Sequence, residues 1–475
     1  MTRREAIKKL LAGSAAVAAG GAFAEEVAAG QEKSPLVKGA IGDPKEAYFG
    51  NNVFPLPHTV EDGPSCFLQG GEIVRPAAKI PLFSKVDVVV VGGGAAGFAA
   101  AIAAARTGAK TALVERYGSL GGLFTNGMVL LVMCTSAKGP DGKYRFVTKG
   151  VCDEFIRRCE ALNGSVPSVS ERHPESSYWE PTIDPEAAKY VMDQMIAEAG
   201  VEMYFHAWGV DVVQDGNAVQ GVVFESKQGT QAILARQVVD CTGDGDIFFR
   251  AGADYRQVTH AIGSVVRFGN VDRVPKGAAR PARPRTAGPW PTAASVDPGG
   301  SLRWGSNLGK KGNGLDVRQL SAAEVAHRKF WMEHLAELRK HPDWRETYIA
   351  NFCSQIGVRT TRILESELIV DRALLRKGNR FPDAVALVGC RTYYDDFQVP
   401  YRALIPKKVD NLLAAGRCIG APDTIETFRL IAPCFITGEA AGTAAALSAK
   451  AGCTPRQLDV KVLQKTLTDH NVCLA

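Results

Sequence analysis

Residues Lys85 to Arg116, KVDVVVVGGGAAGFAAAIAAARTGAKTALVER, restrict the fold more than any other stretch of the chain. Val86 to Val91 is a short, continuous apolar run rich in β-branched residues, which reads as a strand buried on both faces. Gly92, Gly94 and Gly97 follow as G-x-G-x-x-G, and the alanine-rich run Ala95 to Arg106 reads as a helix able to sit close to that strand. Lys110 to Val114 is a second strand, ended by Glu115. In such a unit Gly92 permits the tight turn, Gly94 lets backbone approach a pyrophosphate, and Gly97 lets the helix pack on the strand. Ala95 and Ala96, in the first helical turn, present free N–H groups and a positive dipole end to the phosphates. Glu115 lies near the offset of about 20 residues at which an acid meets the ribose hydroxyls. Strand, glycines, helix, second strand and acid together argue for dinucleotide binding rather than a bare glycine turn. FAD and NAD both satisfy the unit.

The chain has 475 residues, room for several domains, and is 46% hydrophobic and 22% charged, ordinary for a globular protein. Its formal charge is +6, of which residues 1–24 supply +3 through Arg3, Arg4, Lys8 and Lys9 against Glu5. The remainder gives no support to nucleic acid as a partner. Eleven cysteines are scattered without C-x-x-C or metal-ligand spacing, so no metal site is expected. They read as small buried hydrophobes, with disulfides open if the protein is exported.

Residues 1–24 carry a charged start, an apolar run from Leu10, and Ala22-Phe23-Ala24, the pattern of an export signal. The adjacent Arg3 and Arg4 resemble a twin-arginine signal, which implies a periplasmic destination and passage of a folded, cofactor-loaded protein. No other stretch is long and apolar enough to span a bilayer, so no membrane span is expected in the mature protein. Residues 25–84 read as an arm or spacer.

After Glu115-Arg116 come Gly121-Gly122-Leu123-Phe124-Thr125-Asn126-Gly127. A dinucleotide unit whose second strand ends in Glu-Arg, followed by G-G-x-x-T-x-G, resembles the FAD-dependent oxidoreductases of glutathione-reductase-like fold. The resemblance implies an α/β chain: a Rossmann-like FAD-binding domain of glutathione-reductase type, with an interleaved α+β substrate domain. Gly121 and Gly122 would wrap the far side of the pyrophosphate and Thr125 would offer it a hydroxyl. Helices are expected over Val151 to Leu162 and, capped by Asp184 with Pro185 in the first turn, over Pro185 to Gly200. Three β-patterned runs, Val201 to Phe205, Gly209 to Gln214 and Val219 to Ser226, follow, with Asp215-Gly216-Asn217 as a hairpin turn. The family places backbone near Val210 against adenine. A strand Ala232 to Val239 ends in Asp240-Cys241-Thr242-Gly243-Asp244-Gly245-Asp246, and the resemblance sets Thr242, Gly243 and Asp244 beside the first glycine loop. Asp244 and Asp246 read as capping and loop-bonding residues rather than a metal pair.

Arg267, Arg273, Arg280, Arg283, Arg285, Arg303 and Arg318, with Trp290 and Trp304, mark residues 264–345 as a lid for an anionic substrate or as a solvated loop. A helix is expected over Ser321 to Arg339. Gly357 to Ile363 resembles the family's G-x-R-x-T-R-x-I segment; Arg359 and Arg362 would share a face on a helix, but not on a strand, and would hold a carboxylate or pair with nearby acids. Tyr393-Tyr394-Asp395-Asp396-Phe397 stands where the family often carries an acid followed by histidine. No histidine is present, which leaves Tyr394 or Asp396 for proton transfer.

A strand running into Ala415-Gly416-Arg417 resembles the family's second FAD contact. Arg429 to Cys434 then opens a helix, Phe435 to Ala449, with Gly438, Ala441 and Gly442 on its close-packed side. In the family this helix aims its N-terminus at the isoalloxazine, which places Cys434 at the cofactor and Arg429 among the candidate catalytic residues. The expected segments are a signal (1–24), an arm (25–84), the first part of the FAD domain (85–263), a substrate or lid region (264–350) and a return to the FAD domain (351–475). No second G-x-G-x-x-G unit is visible for a separate NAD domain. The resemblance implies an FAD oxidoreductase acting on a small molecule, with an unidentified electron partner. A reductase of an unsaturated carboxylate and a non-catalytic electron carrier are the alternatives.

Overall fold

The computed structural model describes residues 66–139, 141–162, 169, 179–275, 278, 300–301, 307–376, 380–390 and 394–475. The export signal, most of the arm, and Arg280, Arg283, Arg285, Trp290, Arg303 and Trp304 lie outside them. No helix among the described residues is long and apolar enough to cross a membrane.

Strand β1 (Leu82–Val91) runs into helix α1 (Ala95–Arg106) and strand β2 (Thr111–Val114), with the helix bounds that the alanine run sets. Helices α2 (Gly150–Ala161) and α3 (Pro185–Glu198) follow; Asp184 caps α3 by accepting the N–H groups of Glu186 and Ala187, and Pro185 occupies its first turn. Strand β3 (Glu202–Tyr204) precedes the long strands β4 (Trp208–Asp215), β5 (Ala218–Ser226) and β6 (Gly229–Asp240) and the short helix α4 (Asp246–Arg250). Much later, strand β14 (Leu412–Ala414) enters the same sheet.

Strands β3, β2, β1, β6 and β14 lie side by side and parallel, in that order. The first half of β6 instead pairs antiparallel with β5, which pairs with β4, so one long strand serves two pairings. Val88, Val89 and Val90 are fully buried, as strands covered on both faces require.

Between β6 and β14 the chain builds smaller sheets. Strand β7 (His260–Ser264) lies between β9 (Asn307–Gly312) and β11 (Gly357–Val358). Strand β8 (Val266–Gly269) pairs with β10 (Tyr348–Phe352), and helix α5 (Val317–Leu338) covers them with Trp331, Leu335 and Leu338. Asp316 caps α5, which begins four residues earlier than the apolar pattern suggests. Strands β12 (Ala384–Cys390) and β13 (Tyr394–Pro400) form a hairpin. Cys134 and Cys390, 256 residues apart, are joined in a disulfide, while Cys152, Cys241, Cys353, Cys418 and Cys434 are buried thiols.

Helix α6 (Ile431–Ala451) crosses the core and α7 (Val460–Asp469) closes the chain. α6 starts before Phe435 because Pro433 fits a first turn, where its missing N–H has no partner to lose. Its close contact with α1 needs glycine: a Cβ on Gly438 would run into the Ala96 carbonyl, and one on Gly442 into that of Ala100. Phe98 of α1, Phe155 of α2 and Phe435 of α6 pack ring to ring at 5.4–6.0 Å, each pair contributing about 0.5–1.5 kcal/mol beyond area burial.

Glu439 of α6 is buried in this core and accepts the Val151 N–H at the start of α2 (3.0 Å). Burial pushes its carboxyl up from 4.5 to about 8 against that bond. A raised carboxyl contributes stability that is complete below about 4.5 and is lost as pH climbs through about 8. Glu439→Gln keeps the acceptor and removes the titration. In thermal melts, the variant should gain on the native chain between these two values and be the more stable at the upper one; parallel pH profiles would refute this.

Candidate functional site

The turns at the carboxyl ends of β1, β6 and β14 meet at one cleft. Gly92, with φ 96°, turns the chain out of β1, and Gly97 lies so close beneath it that a Cβ would overlap the Gly92 carbonyl. Gly94 caps α1 without a side-chain bond, so the first N–H groups of the helix face outward. The second glycine loop is tied to the first by the Gly121 N–H on the Gly93 carbonyl (2.8 Å). Gly416 completes the approach: its amide donates to Thr437 Oγ1 (3.0 Å), and a Cβ there would stand between Ala96 and Cys434.

Gly92, Gly94, Ala95, Ala96, Glu115, Arg116, Gly121, Gly122, Thr242, Gly243, Gly416, Arg417, Arg429 and Cys434 all line the cleft. Four residues expected to touch the cofactor, Gly97, Thr125, Val210 and Asp244, do not line it. Gly97 serves the packing of α1. Thr125 spends its hydroxyl on the Leu120 carbonyl (2.5 Å) and so shapes the glycine loop. Gly209 and Trp208 face the cleft in place of Val210. Asp244 stands behind the lining, paired with Arg417 (2.8 Å).

Three catalytic candidates also fall outside the lining. Arg359 and Arg362 lie on a strand–turn–strand path, so they share no helical face. Arg359 Nη1 donates to the Ala261 carbonyl (2.9 Å). Arg362 is held by Asp246 (2.9 Å) and the Asp244 carbonyl (3.0 Å) and stacks over Phe249 at 4.2 Å, which of the two alternatives is the pairing with nearby acids rather than the carboxylate clamp. Asp396 pairs with Arg380 (3.0 Å) instead of facing the cleft. Tyr394 begins β13; its side chain is outside the described residues.

Glu115 accepts the N–H groups of Gly93 (2.5 Å) and Tyr117 (2.8 Å); burial pushes its carboxyl up against these two bonds. Arg116 sits by the rings of Tyr117 (4.9 Å) and Trp208 (5.7 Å), an aromatic wall that sequence patterns do not mark. Asp240 is fully buried and gathers four donors: Thr242 N (3.0 Å), Thr242 Oγ1 (2.6 Å), Ile247 N (3.0 Å) and Phe248 N (2.9 Å). Burial would push Asp244 up as well, but Arg417 beside it, with the Thr361 hydroxyl (2.7 Å), holds it below the usual carboxylate range. Gln355 also lines the cleft, and its Oε1 is buried with no hydrogen-bond partner among the described residues; the same is true of Arg417 Nη1.

Such a cleft, with helix N-termini and glycine turns facing a long polar groove, receives a dinucleotide. Residues 87–467 match the family model described as FAD dependent oxidoreductase, and the chain belongs to that family. It is an oxidoreductase and FAD is its cofactor. A stretch of 46 residues is 59% identical to dihydrolipoyl dehydrogenase of Trypanosoma brucei brucei, a match spanning 10% of this chain and 10% of that relative. Among solved structures, a geranylgeranyl bacteriochlorophyll reductase-like protein from Thermoplasma acidophilum is similar at 15% identity, covering 82% of each chain with a TM-score of 0.39. The p-nitrophenol 4-monooxygenase of Pseudomonas putida DLL-E4 is similar at 14% identity, covering 82% of this chain and 84% of its own, with a TM-score of 0.42. The residues present fit FAD: Gly94 leaves its surroundings open, and two buried polar atoms, on Gln355 and Arg417, lack partners.

The Asp244–Arg417 pair gives a test. Arg417→Met leaves a buried carboxylate without its cation and should cost about 3–5 kcal/mol in denaturant unfolding. Adding Asp244→Asn should restore much of that loss; a double variant as unstable as the sum of the singles would show that the pair does not hold this loop.

Proposed function

We propose that this flavoenzyme has glutathione-reductase-type architecture and moves hydride between a small organic substrate and its cofactor, with electrons exchanged with a separate partner. The observation that carries the reading is the convergence of Arg429 and the N-terminus of α6 with both glycine loops in one cleft. The parallel sheet with an antiparallel extension through β4 and β5 supports the architecture. Bound FAD supplies two-electron chemistry at flavin N5.

The chain's own residues divide the work. The first turn of α1, with Gly94 and Gly122, holds the pyrophosphate, and Glu115 holds the ribose. Arg116 and Trp208 border the adenine end, while Gly416 and Arg417 meet the opposite half. α6 presents its N-terminus, capped by Leu430 without a side-chain bond, so its positive end favours negative charge that develops on the ring. Arg429 faces the same space and suits an anionic substrate; with Arg359 it favours a second reading, reduction of an unsaturated carboxylate.

Residues 1–24 direct export by a twin-arginine route to the periplasm in this proposal. The Cys134–Cys390 disulfide supports it, since such bonds persist in oxidising compartments. In this proposal residues 85–263 and 351–475 together form the FAD-binding domain, and 264–350 the substrate or lid region.

Purified protein should be yellow, and its flavin should bleach without oxygen when the right donor is added. Arg359→Ala should retain the yellow cofactor and weaken apparent affinity for an anionic substrate about tenfold; unchanged affinity removes the arginine from the substrate site. Replacing Arg3 and Arg4 by lysine should leave the precursor uncleaved in the cytoplasm, and normal processing of that variant would sink the twin-arginine route.

A further inference from the structure

We propose that the side-chain amide of Gln355 holds the pyrimidine edge of the flavin ring, its Oε1 accepting the ring N3–H, and so fixes how the isoalloxazine lies in the cleft. The inference rests on the reading given above, which sets adenine by Arg116 and Trp208 and the ring by the N-terminus of α6. Among the described residues that line the cleft, Gln355 alone comes from the chain between α4 and β14. It belongs to the turn between β10 and β11, and that turn is held on both sides. The N–H groups of Ser354 (2.9 Å) and of Gln355 itself (3.2 Å) both donate to the Asn126 carbonyl, at the end of the second glycine loop. Ser354 Oγ donates to the same oxygen (3.3 Å), and Cys353 packs with Met128 and Val265. Beyond β11, Thr361 Oγ1 donates to Asp244 (2.7 Å), the partner of Arg417. Backbone bonds to a glycine loop therefore fix where the side chain starts, and the side chain lines the cleft.

The chemistry of the amide selects its ligand. Oε1 is buried and has no hydrogen-bond partner among the described residues. A buried acceptor left in that state is costly, so the ligand of the cleft must bring a donor. The pyrophosphate brings none, because its oxygens only accept. It suits Arg417 Nη1 instead, a buried donor of the same lining that also lacks a partner among the described residues. The donors of the adenosine half lie by Arg116 and Trp208 in the reading above. The ribityl hydroxyls and the ring remain. A hydroxyl needs one partner atom, whereas the pyrimidine edge is an imide, an N–H flanked by two carbonyls. A primary amide complements that edge with two bonds, its oxygen accepting the N–H and its NH2 donating to one carbonyl. Glutamine meets the edge of adenine in the same paired manner. Flavin N3 keeps its hydrogen in the oxidised and the two-electron-reduced ring alike, so the contact outlasts turnover and moves neither proton nor electron. Gln355 is thus a positioning residue, which sets the ring and takes no part in chemistry at N5.

The probe is FAD isotopically labelled at its ring nitrogens, bound in the full-length protein, and the readout is the magnetic resonance of the N3–H. In the native protein this proton should lie downfield and exchange slowly with water. Gln355→Met keeps the length of the side chain and removes the amide, so the signal should move upfield and exchange at least about tenfold faster. Gln355→Glu keeps an acceptor oxygen and should keep the native signal. A second measurement uses protein stripped of its cofactor. The native chain should take back 3-methyl-FAD roughly tenfold more weakly than FAD, while Gln355→Ala, which loses the acceptor and makes room, should take both about equally. An N3–H signal unmoved in Gln355→Met, or equal uptake of the two cofactors by the native chain, would overturn the contact. A loss of thermal stability in Gln355→Met with that signal unmoved would assign the amide to bracing the Asn126 turn alone. If the methionine variant folds poorly, the comparison of FAD with 3-methyl-FAD on the native chain still decides. Native protein that holds flavin but fails these tests loses only the Gln355 contact. Protein that never takes up flavin would overturn the cleft reading and this inference with it.

Discussion

The structure depends on the contact between α1 and α6. The two helices come from opposite ends of the chain, and their backbones approach closely only because Gly438 and Gly442 present no Cβ to the carbonyls of Ala96 and Ala100. The same contact fixes the cleft. α1 begins at the first glycine loop, and α6 begins next to Gly416, so seating one helix on the other sets the distance between the two loops. Any residue larger than glycine at these positions would move the loops apart before it disturbed either helix by itself. Alanine-rich helices make weak individual contacts. What they offer is a short separation, and here the separation is what the cofactor reads.

A second constraint is electrostatic. Within seven residues of chain, Asp240, Asp244 and Asp246 crowd the end of β6, and each is satisfied differently. Asp240 uses the amides and hydroxyl of its own loop and the start of α4. Asp244 is met by Arg417 from the second glycine-loop region and by Thr361. Asp246 is met by Arg362. Burial works against all three, pushing Asp240 up to about 6, and only complete pairing makes the cluster tolerable. The pairing joins three segments that are distant in sequence around one turn. That turn presents Thr242 and Gly243 to the cleft.

Those features explain what was legible in the amino-acid order. Glycine spacing, the apolar run of β1 and the bounds of α1 are local, and so is the Asp184–Pro185 start of α3; each could be read from neighbours a few residues away. The close-packed face of α6 was legible for the same reason. Arg362 was not, because its partners, Asp246 and the Asp244 carbonyl, lie more than a hundred residues upstream. Gln355 carries no motif at all. Its position follows from which strands pair, and β7 meets β11 across almost a hundred residues. The pairing of Cys134 with Cys390 is likewise a tertiary fact with no signature in spacing.

The division between readable and unreadable residues follows the division of labour in the site. Contacts to a pyrophosphate are made by backbone, so the chain needs small residues at fixed offsets, and such offsets leave a pattern. Contacts to a substrate are made by side chains, each of which can be delivered by any strand that happens to pass the cleft. Arg429 arrives from the turn before α6 with no spacing that marks it, so composition around it says little. The cofactor half of the site is therefore defined by what the backbone allows.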